Sequence, residues 1–299
     1  MSEIKNFDAV IIGAGPAGLS AAVYLKRATL STAIIEKMPF PGGQILNTDT
    51  VENYPGFNSI SGFELSEKFR AHAAENGAEF ITAEVERVEQ GSVTLKNSDT
   101  IKAKVIIIAT GSTHRKLGAK GENEFSGKGV SYCATCDGAF FKNKHVAVIG
   151  GGDTALEDAL YLCNVCEKVT LIHRRKELRA AKVLCDKFLS MPNAEFLPEE
   201  EVECFSGDTL LNEITLKSGK SLKVDGAFIA VGQIPQTDFL PDKIKDSQGY
   251  IITDELCRTP IKGIFAAGDV RAKECRQVVT AAADGAIVCS GVLKYLNGE

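Results

Sequence analysis

No uninterrupted run of about 18 apolar residues occurs in the chain, so no membrane-spanning helix is expected. The first eight residues lack the charged-then-apolar profile of a secretory signal, and a cytoplasmic protein is expected. Basic excess is missing too: Lys plus Arg number 34 against 39 for Asp plus Glu, a formal charge of −5. That balance gives no general attraction to nucleic acid or to an anionic membrane, so any basic site must be local. The nine cysteines are odd in number and scattered at 133, 136, 163, 166, 185, 204, 257, 275 and 289. Their scatter argues against the full disulfide framework of a secreted protein, and the useful question becomes which pair does chemistry. What the chain has is a globular balance, 44% hydrophobic and 24% charged over 299 residues, enough for two domains with proper cores.

One pattern is written twice. Residues 7–12 are apolar, then come Gly13-Ala14-Gly15-Pro16-Ala17-Gly18 and a segment, 19–27, with helical apolar spacing. Residues 146–149 are apolar again, followed by Gly150-Gly151-Gly152-Asp153-Thr154-Ala155 and a helical segment to about residue 162. Each unit is closed by a later apolar strand, 105–109 before Thr110-Gly111 and 227–230 before Val231-Gly232. In such a turn the first glycine permits the sharp strand-to-helix reversal and the second admits a pyrophosphate to the backbone. The third small residue packs helix on strand. The phosphate then meets free N–H groups and the positive end of the helix macrodipole. Both matches sit at a strand-to-helix junction, as the motif requires, so two dinucleotide-binding halves are expected.

The halves differ in what they suit. The strand at 32–35 ends in Glu36, eighteen residues past Gly18, where a carboxylate can accept hydrogen bonds from a ribose hydroxyl pair. The strand at 168–172 ends instead in His173-Arg174-Arg175, with Arg179 beyond and no acid at the ribose position. Arginine forks match phosphate oxygens, which favours the 2′-phosphate of NADPH over NADH. Near the C-terminus Gly263-Ile264-Phe265 leads into Ala266-Ala267-Gly268-Asp269, a strand ending in an acid that could bond a polyhydroxyl chain such as ribityl. A flavin in the first half is therefore expected.

The chemistry of the chain points to a dithiol. Cys133-Ala134-Thr135-Cys136 is followed at once by Asp137-Gly138, fourteen residues before Gly150. Two cysteines three apart near a helix start can close a small disulfide, and that setting makes a thiolate a competent nucleophile. Asp137 is placed to move protons. Beside a flavin and NADPH, the pair completes one electron path. A zinc site shared with Cys163 and Cys166 is the competing reading. A whole strand and a glycine-rich turn lie between the two pairs, so no metal is expected. Cys163 and Cys166 read as small buried helix residues.

Taken together, these motifs resemble the low-molecular-weight, bacterial-type thioredoxin reductases over essentially the full length. The resemblance rests on the two glycine-rich turns, Pro41-Gly42-Gly43-Gln44, Glu52-Asn53-Tyr54-Pro55-Gly56, Cys133-Ala134-Thr135-Cys136-Asp137, His173-Arg174-Arg175, Ala267-Gly268-Asp269 and Arg276-Gln277. It implies an α/β fold of two Rossmann-like domains in a homodimeric flavoenzyme. The NADPH-binding domain, 114–243, carries the CxxC and is inserted into a discontinuous FAD-binding domain, 1–113 and 244–299. It implies that Cys133 attacks the disulfide of thioredoxin, that Cys136 lies nearer the flavin and that Asp137 donates a proton. Gly13, Gly15, Pro16, Ala17, Glu36, Gly43, Gln44, Asn53, Gly111, Asp269, Arg276 and Gln277 are the expected FAD contacts. Gly150, Gly152, Asp153, Thr154, Ala155, His173, Arg174, Arg175 and Arg179 are those expected for NADPH. Gln233 stands after Val231-Gly232 where relatives often carry His. The alternative is an NADPH-dependent reductase of another thioredoxin-like or glutaredoxin-like partner. The first strand begins by residue 7, so the long N-terminal extension of the peroxiredoxin reductases is not expected, and the intact NADPH turn disfavours the ferredoxin-dependent branch. A flavin-holding redox sensor without turnover is the reading from another class.

Overall fold

The computed structural model describes residues 5–48 and 50–299; the expectation about the chain start rests partly on residues 1–4, outside the described ones. The chain divides into two compact units, Met1–Thr113 with Ile234–Glu299, and His114–Gln233. The return to the first unit comes at residue 234, ten residues before the expected 244. Residues 234–243 are expected in the NADPH-binding domain, yet Leu240 is buried in the first unit's core. There Gln236 also donates its N–H to the Gly111 carbonyl at 3.0 Å.

In chain order the first unit begins β1 Asn6–Ile12, α1 Pro16–Arg27, β2 Thr32–Glu36, α2 Gly62–Glu75, β3 Glu79–Thr82, β4 Val85–Glu89, β5 Ser92–Leu95 and β6 Thr100–Ile108, and β7 Ser112–His114 leads out of it. The second contains β8 Val130–Ser131, α3 Ala134–Asp137, β9 His145–Gly150, α4 Asp153–Cys163, β10 Lys168–His173, α5 Lys182–Leu189, β11 Ala194–Pro198, β12 Val202–Gly207, β13 Leu211–Leu216, β14 Ser221–Lys223 and β15 Gly226–Ala230. The crossing strand β16 Gln233–Pro235 pairs with β7, and β17 Ile264–Ala266 and α6 Val278–Leu296 complete the first unit.

The first unit is built on a sheet of order β3-β2-β1-β6-β5-β4, with β17 pairing the end of β6. Strands β1, β2, β3, β6 and β17 run parallel, and the β4–β5 hairpin joins β6 antiparallel. Alternate residues of one strand enter opposite cores. Ala9, Ile11, Val105 and Ile107 pack under α1 and α6, whereas Val10, Ile12, Ile106 and Ile108 pack with Leu240, Ile251 and Val270. Both faces are thus covered, which is why these strands read as unbroken apolar runs. Only in its first half, beside the hairpin, does β6 alternate buried with exposed residues.

The second unit repeats the plan with the parallel order β11-β10-β9-β15-β8. Val146, Val148, Val169 and Leu171 face the core shared with α4 and α5. The opposite face, Ala147, Ile149 and Ile229, is covered by Phe205, Leu211 and Ile214 of the antiparallel sheet β12-β13-β14. A small sheet replaces the second helical layer there because alternating apolar residues of β12 and β13 supply one apolar face.

Helix α6 is long and apolar enough to cross a membrane by length and composition alone. Here it is a core helix of the first unit. Gly285 lies so close to α1 that a Cβ would come within 2.6 Å of Ala21 N and 2.7 Å of the Ala17 carbonyl.

Candidate functional site

In the first unit the β1–α1 turn is fixed by contacts no side chain could survive. Gly13 has φ of +105°, and a Cβ there would lie 2.5 Å from the Ala109 carbonyl oxygen; at Gly18 it would lie 2.0 Å from the Gly13 carbonyl. Gly15 precedes α1 without a side-chain cap, Pro16 opens the helix and no acid stands in its first turn. No side chain of α1 itself caps its first N–H groups, which leaves them for an anion. Gly43 approaches from the next loop, and a Cβ on it would meet the Gly15 Cα at 3.2 Å. Glu36 is half-buried at the end of β2, where Oε2 accepts the Ala14 N–H at 2.8 Å and Oε1 that of Met38 at 2.9 Å. Each oxygen keeps a lone pair for a hydroxyl.

Residues far apart in sequence meet this turn. A Cβ on Gly268 would touch that of Ala17 at 2.7 Å, which brings the neighbouring Asp269 to the start of α1. Asp269 Oδ1 is buried and, among the described residues, has no hydrogen-bond partner, though Lys273 pairs with it at 3.6 Å. Burial, opposed by Lys273 and Arg276, pushes this carboxyl above the usual range. Arg276 stacks 4.1 Å above the Tyr250 ring, and its buried Nε is likewise without a partner. Asn53 donates to Gln277 at 3.2 Å, and Gln277 caps α6. Gln44 is exposed, and Gly111 lies at the crossing.

Buried Oδ1 of Asp269, the residue after Gly268, and the uncapped start of α1 suit hydroxyl and phosphate oxygens. The first unit fits a flavin dinucleotide.

Sequence reasoning missed what holds Asp269. Asp284, buried in the middle of α6, accepts the Gly268 N–H at 2.8 Å on Oδ2, Arg271 Nη1 at 2.8 Å on Oδ1 and Lys273 Nζ at 3.1 Å on Oδ2. A lone acid in an otherwise apolar helix was the signal.

In the second unit Gly152 precedes α4 with no side-chain cap, and a Cβ there would meet nothing within 4 Å, leaving open space above the helix start. Ala155 is buried and Thr154 exposed. Asp153, expected to touch the cofactor, is exposed, and its Oδ1 accepts the Ala181 N–H at 2.7 Å. With Arg179 N–H bonded to the Gly151 carbonyl at 2.7 Å, this folds the basic loop back over the glycine turn. Arg174, Arg175 and Arg179 are exposed and make no ion pair among the described residues. His173 is buried so near Gly151 that a Cβ there would meet its ring at 2.4 Å. Burial, then the three arginines, keep its imidazole below the usual histidine range. Its Nε2 has no partner among the described residues. Held neutral among cations, it fits a dinucleotide bearing extra phosphate.

Also on α4, Asp158 is mostly buried and raised to about 7, chiefly by burial and secondarily by Glu157. The folded state then prefers the protonated acid, so stability is lost as pH rises from the unfolded value through about 7. Asp158→Asn is expected to raise the melting temperature at pH 8, with the gain shrinking towards pH 4. Thermal melts across that range check it.

Cys133 and Cys136 form a disulfide, with Cα atoms 5.3 Å apart. Cys133 is the N-cap of α3, in extended conformation, and Asp137 closes that single turn. At its far end Gly138 abuts Tyr161 and Leu162, so the motif packs on the last turn of α4, opposite the glycine turn. Both cysteines are half-buried. Cys163 and Cys166 are free and buried, each pushed up to about 11 by burial, which keeps them as inert thiols at neutral pH. Cys163 ends α4, but Cys166 lies beyond it in the following turn, because the helix stops at Asn164.

A sequence profile described as "Pyridine nucleotide-disulphide oxidoreductase" matches residues 7–285. A thioredoxin reductase of Listeria innocua is 49% identical over 99% of this chain and 96% of its own length. The crystal structure of the Streptococcus pyogenes thioredoxin reductase superposes with a TM-score of 0.94 at 42% identity, covering 99% of this chain and all of that one. That of Giardia duodenalis gives 0.93 at 34%, covering 98% and 99%. Two glycine turns at uncapped helix starts, a CxxC disulfide and this full-length similarity converge: the chain belongs to the pyridine nucleotide-disulphide oxidoreductases and, within them, to the thioredoxin reductases.

Proposed function

We propose that the protein is an NADPH-dependent flavoenzyme that passes two electrons through Cys133 and Cys136 to the disulfide of thioredoxin. The observation that carries the reading is the Cys133–Cys136 disulfide at the start of α3, in the same unit as the arginine-flanked turn. FAD, when bound, supplies the two-electron relay between the nicotinamide and the disulfide.

The first unit would hold FAD with its pyrophosphate at the start of α1, a ribose on Glu36 and the ribityl chain on Asp269. Gly13, Gly15, Pro16, Ala17 and Gly43 would form the cradle. Gln44, Asn53, Gly111, Arg276 and Gln277 would complete the contacts. The second unit, taken as 114–233, would hold NADPH at the start of α4, with Arg174, Arg175 and Arg179 on the 2′-phosphate and His173 beside them. Cys133 attacks the partner disulfide, and Cys136 then attacks Cys133 Sγ to release the reduced partner. Asp137 gives its proton to the departing sulfur.

We also propose a homodimer in the cytoplasm. The exposed Met38, Phe40 and Phe63 of the first unit support the first, since they need covering. The seven free cysteines support a reducing compartment. Thioredoxin and glutaredoxin panels, offered to the purified protein with NADPH and read as partner thiols formed, test the activity. Thioredoxin thiols are expected; failure to reduce any thioredoxin overturns the reading.

Replacing Arg174, Arg175 and Arg179 with Ala is expected to weaken NADPH far more than NADH. Each charge-assisted bond is worth roughly 1.5 to 3 kcal/mol, so losing even one raises KM for NADPH about tenfold or more. Steady-state kinetics with both cofactors measure it, and an unchanged preference rejects the assignment.

A further inference from the structure

One residue beside the redox motif is tied to it by geometry rather than by the spacing of its cysteines. Ser131 ends β8, which is paired in parallel with β15 of the central sheet, Ser131 opposite Phe228. It is 6% exposed. Its Oγ accepts the Cys133 N–H at 3.1 Å and donates to Asp137 Oδ2 at 2.5 Å; a longer approach to the Cys133 carbonyl measures 3.4 Å. A hydroxyl has one proton to give. The Cys133 N–H occupies one lone pair, and the short contact directs the proton to the carboxylate. Both ends of the CxxCD segment are thereby tied to one buried oxygen anchored on the sheet.

We propose that Ser131 is a positioning residue for proton transfer at the dithiol: by donating to Oδ2 of Asp137, it orients the carboxyl that delivers the proton. The inference rests on the reading of Asp137 as proton donor. In the exchange, the Cys133 thiolate forms a new S–S bond as the partner's own S–S bond breaks. The electron pair departs on the partner's second sulfur, and that sulfur takes the proton from Asp137, which becomes a carboxylate and is reprotonated from solvent. A hydrogen bond donated to a carboxylate favours its charged form. Ser131 therefore eases release of the proton and stops the carboxyl from rotating between its two oxygens.

The test is the pH dependence of thioredoxin reduction by the holoenzyme, with FAD reduction by NADPH followed alongside. The step needs protonated Asp137, so it fails above a basic limb. Ser131→Ala removes the donor, the acid holds its proton harder, and the limb moves to higher pH by about one unit, with a lower plateau. Ser131→Thr should keep the limb where it stands, while Ser131→Val, of the same shape without the hydroxyl, should move it as Ala does. The Thr and Val pair carries the test if the Ala variant folds poorly. A limb that stays put in both Ala and Val, or a loss shared equally with FAD reduction, overturns the proposal. Asp137→Asn separates the two readings. If it leaves the limb in place, the proton-donor reading fails and this inference with it; if it abolishes the limb while Val does not shift it, only the role of Ser131 fails.

Discussion

Cys136→Ser is expected to accumulate a covalent mixed disulfide between Cys133 and thioredoxin while turnover falls roughly a thousandfold or more, as when a catalytic nucleophile is removed. The physical basis is sequential exchange. Cys133 still attacks, but the thiolate that would displace it is gone, and the intermediate has no internal exit. Cys133→Ser should lose activity as fully and trap nothing. In the oxidised structure both cysteines are half-buried, so exposure does not rank them. The roles follow from order in the motif and need this pair of variants. Mass spectrometry of the cross-linked peptide is decisive: partner thioredoxin attached through Cys136 would reverse the assignment. The buried thiols do not confuse the reading. Cys163, Cys166 and Cys289 are buried and raised by that burial, and Cys257 is pushed up to about 12 by the same cause. None offers an appreciable thiolate at neutral pH.

The second large effect is expected from Asp284→Ala, which touches no candidate cofactor residue except through the backbone. Its carboxylate pairs with Arg271 and Lys273, whose side chains are only 12% and 14% exposed. Removing one partner of a buried ionic cluster leaves uncompensated charge, a cost of about 3 to 5 kcal/mol. The same change frees the Gly268 N–H and lets Lys273 turn towards Asp269, altering the oxygen proposed to hold ribityl. FAD retention on dilution should therefore fall at least about tenfold, and the melting temperature of the apoprotein should drop as well. Asp284→Asn should be intermediate, since it still accepts the Gly268 N–H but leaves the cations unpaired. Retention of FAD by the Ala variant at the unmodified level would show that the network is not needed to place Asp269.

Much of this was legible in the residues themselves. Two glycine-rich turns at the ends of apolar runs demand strand, tight reversal and helix, because a Cβ at Gly13 or Gly18 would strike backbone. The runs around 7–12 and 146–149 could only be interior parallel strands. The CxxC cysteines needed no third dimension to pair, and the arginine cluster directly after β10 announced phosphate locally. These signals are short-range, set by φ, by pitch and by spacing along one element, and the sequence alone carries them.

Other features had no local signal. The ten residues after 233 are expected with the NADPH-binding domain, but Leu240 packs with strands more than a hundred residues earlier. Asp153 sits where a cofactor contact is expected, and only the folded loop shows it bound to the Ala181 N–H. The antiparallel sheet over β9 and β15, the Asp284 network and the hold of Ser131 on Asp137 are all decided by packing. A buried carboxylate or hydroxyl must find its partner wherever the fold brings a donor or acceptor within about 3 Å, whatever their separation along the chain. The sequence by itself determined the elements, the two nucleotide turns and the redox pair. The tertiary structure decided which buried polar atoms are satisfied and which, at Asp269, Arg276 and His173, are left open, because satisfaction depends on distance in space rather than on order in the chain.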